Sequence, residues 1–98
     1  MSIIRVARDI DSKFAVSTDG KIFKKSNNEI IPDDEPLFLL RGRDLLAPKF
    51  FQAYLDISRR AGCNLYHFTK LGETIENFIK FKKEHPERMK MPSITEGK

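Results

Sequence analysis

Ninety-eight residues suffice for one modest core and exclude two large independent domains or a deep enclosed substrate chamber. Forty per cent of them are apolar, with eight phenylalanines, and 33% are charged; this excludes a wholly disordered chain and predicts an aromatic-rich core under a well-solvated surface. Eighteen Lys and Arg against fourteen Asp and Glu give a net charge of +4, and the surplus sits late, with six basic and seven acidic groups in residues 1–35 but twelve and seven in 36–98.

That imbalance steers acidic partners, whether nucleic acid or an acidic protein surface. The lone cysteine, Cys63, has no intrachain disulfide partner, and no apolar run has the length of a signal peptide or a spanning helix. A reducing, cytoplasmic setting without membrane association is therefore expected.

The chain opens with β signals. Ile3, Ile4 and Val6 offer a first strand, which Arg5, Arg8, Asp9 and Asp11 interrupt. Phe14 to Ser17 and Ile22-Phe23 flank Asp19-Gly20, a strong hairpin signal because the pair tolerates positive backbone dihedrals. Phe14 and Val16 are expected to share one face, with Ile22 or Phe23 closing against it. Ser26, Asn27 and Asn28 make a second reversal, and Pro32 stops the run Glu29-Ile30-Ile31. Asp33, Asp34 and Glu35 read as a solvated acidic turn, since they lack the alternating oxygen ligands and glycine of a calcium loop.

Pro36 to Gly62 is the organising unit. Phe38, Leu39 and Leu40 read as a buried strand that hands the chain to Arg41-Gly42-Arg43-Asp44, where Gly42 permits a close turn and Asp44 can cap the following helix. That helix is expected to begin between Leu45 and Pro48 and to end at Ala61-Gly62. Leu46, Phe50, Tyr54, Ile57 and Ala61 recur on it at helical spacing, and Phe51 and Leu55 broaden this into a face expected to be mostly core, against a sheet on one side and a second helix on the other, with Phe51 or Leu55 left for another subunit as the alternative.

Leu65 to Phe68 reads as a short strand or an aromatic connector, with Cys63 partly buried and His67 hydrogen-bonded. Four-residue spacing alone does not make Cys63 and His67 a catalytic pair. A second helix is expected from Thr69 or Lys70 to about His85, with Leu71, Ile75, Phe78 and Ile79 inward and Phe81 off the stripe. Pro86 ends it, and residues 93–98 are expected to be a mobile tail.

The expected architecture is α+β, a small antiparallel or mixed sheet packed against two principal helices, in a single compact domain over residues 1–92. The run Glu35-Pro-Leu-Phe-Leu-Leu-Arg-Gly-Arg-Asp-Leu-Leu-Ala47, followed by a helix and Ala61-Gly62, resembles a pattern in short, poorly characterised proteins carried largely by bacteriophages and prophages. The resemblance covers under half of the chain and brings no catalytic residues. It implies an accessory factor acting on host machinery or against host defence, in the host cytoplasm.

Function follows from what is present and what is missing. No metal cluster, phosphate loop or nucleophile-and-base set is evident, so no metal, cofactor or catalytic residue is expected. The favoured reading is a small non-enzymatic protein-binding factor that acts by steric association with a host protein, with self-association open. Arg41, Arg43 and Phe81 are its candidate contacts, because guanidinium groups make directed paired hydrogen bonds and an off-stripe aromatic supplies area; the structural alternative is that the arginines pair with Asp44, Asp33 or Asp34 to fix the turn, with Phe81 covering its own helix. The alternative is a nucleic-acid-binding accessory protein using the basic turn and helix surfaces.

Overall fold

The computed structural model describes residues 4–92; the expected strand start at Ile3 and the tail over 93–98 lie outside them. A three-stranded antiparallel sheet and two helices make a small α+β fold. The chain divides into two compact units, one ending at Phe38 and the other starting at Leu39.

In the first unit, β1 (Val6–Asp9), β2 (Phe14–Ser17) and β3 (Ile22–Lys24) lie in the order β1-β2-β3. The carboxylate of Asp11 accepts from the backbone N–H groups of Lys13 and Phe14, each at 2.8 Å, and so turns β1 into β2. Between β2 and β3, Gly20 N–H donates to Ser17 O at 3.0 Å and Gly20 takes φ +84°. Only Gly20 of the Asp19-Gly20 pair needs the left-handed region, as in a three-residue hairpin loop closed by a glycine bulge.

The expected Phe14–Val16 face forms, and Ile22 stands opposite Val16, but these side chains are only half-buried. The opposite face is deeper: Ala15 is fully buried and pairs with Phe23, which is 2% exposed. The small side chain leaves room for the ring across the strand pair. Asn28, at φ 61°, makes the second reversal, after which Lys24 N–H donates to Glu29 O at 2.8 Å and Ile31 N–H to Ile22 O at 2.9 Å.

Phe38–Leu40 forms no strand, contrary to expectation. The outer edge of β3 is occupied by Glu29 to Ile31, and the run pairs with no strand among the described residues. Leu37, Phe38 and Leu39 are instead 50%, 79% and 73% exposed.

Ser17 is 5% exposed, and its hydroxyl accepts from Lys21 N–H at 2.9 Å while donating to the Asp19 carboxylate. This donated hydrogen bond, aided by the Lys21 charge, holds the Asp19 carboxyl below its ordinary value. A carboxyl depressed in the folded state stabilises the turn above its unfolded pKa and loses that contribution as pH falls through the folded value. Ser17→Ala is expected to move the Asp19 titration back up, read from side-chain carboxyl chemical shifts across an acid titration; an unmoved midpoint would reject the assignment.

In the second unit, α1 (Ala47–Ala61) and α2 (Leu65–Glu84) pack together. Pro48 sits in the first turn of α1, where no N–H is needed. Gly62 ends the helix at φ 76°, with its N–H on Arg59 O and Cys63 N–H on Ser58 O, a left-handed stop that glycine meets at low cost. Arg59 and Arg60 occupy the last turn, where they complement the dipole.

The inward face of α1 is turned by one residue from expectation. Ala47, Phe51 and Ser58 are buried and Leu55 is half-buried, whereas Leu46, Phe50, Tyr54 and Ile57 are 41–57% exposed. Ser58 turns its hydroxyl to His67 Nε2 of α2 at 3.0 Å. Phe51 is therefore core, meeting Phe78 edge-on at 4.8 Å, and Leu71, Ile75 and Phe78 of α2 complete the cluster as expected, together with Leu40.

The second helix also begins earlier than Thr69. Asn64 is its cap, the side-chain oxygen accepting from His67 N–H at 3.0 Å, so Leu65 to Phe68 form a first helical turn rather than a strand or connector. The helix stops at Glu84, and Pro86–Arg88 is a single 3-10 turn.

Candidate functional site

The basic turn Arg41-Gly42-Arg43 is fastened from two sides. After the 3-10 turn the chain runs beside it in parallel: Lys90 N–H donates to Arg43 O at 2.8 Å, and Leu45 N–H donates to Lys90 O at 3.0 Å. Asp44 Oδ1 accepts from Leu46 N–H at 2.8 Å. Asp44 thus fixes the turn ahead of α1 and does not cap the helix, whose cap position is Leu46 with no side-chain bond.

From the other side, Phe81 lies flat against the turn. The point where a Cβ would stand on Gly42 is 3.4 Å from Phe81 Cγ, so the missing side chain serves close approach here. Phe81 is half-buried, with the Arg88 guanidinium 4.8 Å from its ring centre and the His85 ring at 5.1 Å. It supports the turn and shows one edge to solvent.

Arg41 is exposed and Arg43 half-buried, and among the described residues neither guanidinium forms an ion pair or side-chain hydrogen bond. Asp33 pairs with Lys21 at 3.3 Å, and Asp44 holds its own turn. The donor capacity of both arginines is thus uncommitted among the described residues. The parallel pairing adds Arg88 and Lys90 to the same neighbourhood.

Beside this turn runs an apolar groove of about 400 Å³, near the lower end of the range for ligand pockets, roughly 300–1,000 Å³. Phe51 and Leu55 of α1 face Ile75, Phe78 and Ile79 of α2 across it, with Met89 as a further wall. Gly42 and Asp44 line the groove as well, so the arginines flank it, while Lys82 and Asp44 are its charged lining residues. The groove is the open side of the α1–α2 core. A two-helix layer covers one stripe of each helix and leaves this one wet.

Cys63 is exposed rather than partly buried. His67 Nε2 lies 3.0 Å from the buried Ser58 hydroxyl and its ring meets Tyr54 edge-on at 5.6 Å, so it joins α1 to α2. Among the described residues no group of three or more His, Cys, Asp or Glu stands together as a metal site, and no helix is long and apolar enough to cross a membrane. Compared with known protein families, curated proteins and solved structures, the chain matches none.

Proposed function

We propose that the chain is a small protein-binding accessory factor that acts by steric association, not by catalysis. The observation that supports this reading is the apolar groove lined in part by Gly42 and Asp44 of the turn that carries Arg41 and Arg43. Apolar area supplies affinity, and arginines at its rim supply orientation through paired hydrogen bonds to carboxylates. The partner chemistry is a protein surface with an apolar ridge and flanking acids.

The resemblance of the Glu35–Ala47 run adds the setting: a bacteriophage or prophage protein, and a host or host-defence protein as target. An exposed unpaired Cys63 suits the reducing host cytoplasm. The nucleic-acid alternative draws on the convergence of Arg41, Arg43, Arg88 and Lys90, but the groove beside them is apolar and carries no row of backbone-spaced charges.

The test is the double substitution Arg41→Gln, Arg43→Gln, compared with the parent for binding to a partner recovered from host lysate, at low and high salt. Binding is expected to weaken by at least about tenfold, with the denaturation midpoint unchanged because neither side chain supports the fold. Unchanged affinity would reject the site. Selective loss of nucleic-acid binding with a steep salt dependence would favour the alternative.

A further inference from the structure

The stretch Asp33-Asp34-Glu35-Pro36-Leu37-Phe38-Leu39 is exposed throughout. It sets three carboxylates ahead of three apolar side chains, and Pro36 between them favours an extended backbone. The groove of the second unit offers apolar walls from Leu55, Ile75, Phe78 and Ile79 and the charge of Lys82, and Gly42, which lines it, lies in sequence between Arg41 and Arg43. We propose that this stretch of one copy docks in the α1–α2 groove of a second copy, reciprocally, so that the protein forms a dimer by segment exchange.

The dimensions agree. Three extended residues, Leu37 to Leu39, cover about 10 Å, and the groove wall from Ile75 to Lys82 rises about 10 Å along α2. The charges agree in sign. Asp34 and Glu35 form no ion pair among the described residues, and Asp33 holds only the exposed contact with Lys21, which is worth little and is lost at little cost. Asp44 is the one acid lining the groove, and its Oδ1 is taken by Leu46 N–H.

A second copy is the occupant because the chain itself supplies both halves of the match. A two-fold arrangement uses each half twice, since the segment of either copy meets the groove of the other. Burial of Phe38 and Leu39, at present 79% and 73% exposed, then drives association. This goes beyond the partner reading above and uses the same groove, so the two occupants compete for it and each has its own test.

The test is sedimentation equilibrium of the purified chain across a concentration series, with Phe38→Glu and Ile79→Lys. Both positions are well exposed in the single chain, at 79% and 60%, so each variant is expected to fold, checked by circular dichroism. The parent is expected to dimerise, and each variant alone to associate at least about tenfold more weakly because an apolar contact is lost twice per dimer. An equimolar mixture of the two variants restores one native segment–groove contact and is expected to recover association. A monomeric parent, a Phe38→Glu variant that assembles like the parent, or a mixture that fails to recover would each overturn the proposal. A monomeric parent that still binds a host protein through Arg41 and Arg43 would overturn exchange and leave the partner reading standing.

Discussion

Phe51→Ala is expected to lower stability by about 3–5 kcal/mol, whereas Phe50→Ala, one residue away, costs about 1 kcal/mol or less. Phe51 is 7% exposed and meets Phe78 edge-on at 4.8 Å, so truncation removes the largest ring from a cluster whose other buried members are Ala47 and Leu71. Neither neighbour is large enough to refill the space. Phe50 is 44% exposed and stacks on Tyr54 at 6.1 Å, where water takes up the vacated position. Since small domains hold only roughly 5–15 kcal/mol, the first change consumes much of the margin. Chemical denaturation followed by helical circular dichroism measures both, and a Phe50 loss equal to or larger than that of Phe51 would mean that α1 presents its other stripe to the core.

Phe23→Ala carries the second large effect. In the unit ending at Phe38, Ala15 and Phe23 are the buried apolar side chains among the described residues, and a segment below about 40 residues has little other area to bury. Loss of the ring is expected to cost about 3–5 kcal/mol, enough to open the sheet. Amide exchange checks this directly: protection at Ala15 to Ser17 and Ile22 to Lys24 should collapse, while Phe14→Ala, at a half-buried position, should leave most of it. Persisting protection in the Phe23 variant would sink the core assignment.

Turn and cap chemistry proved legible because it is local. Asp19-Gly20, the stop at Ala61-Gly62 and the break at Pro86 each announce a backbone requirement that few residues meet. Asn64 carried an equally local signal, an N-cap residue just ahead of Leu65, that was outweighed by the aromatic appearance of Leu65 to Phe68. Burial was harder to read. The first helix carries two stripes one residue apart, and hydrophobicity favours Phe50, Tyr54 and Ile57, but the stripe that meets α2 holds Phe51 against Phe78 and Ser58 against His67. The apolar run Phe38–Leu40 poses the same problem: its composition reads as a buried strand, yet Phe38 and Leu39 are exposed and Leu40 joins the helix cluster instead. At the site, Arg41 and Arg43 were visible as a polar turn, but Arg88, Lys90 and the Met89 wall reach it from the far end of α2, through a pairing that no local pattern specifies.

That pairing, Arg43 to Leu45 alongside Lys90, has a kinetic meaning. Both helices lie between its two halves, so it closes the longest loop of its unit, and contacts of high sequence separation form late because chain entropy is lost before they repay it. Helix formation and the local α1–α2 contacts come first, on a microsecond scale. With only two backbone hydrogen bonds at its centre, the pairing is also the part that opens most readily without global unfolding. Each opening withdraws Met89 from the groove and Lys90 from the basic turn together. The surface for binding is thus assembled by the last step of folding and dismantled by the first step of its reversal, which makes its lifetime shorter than that of the helices on which it rests.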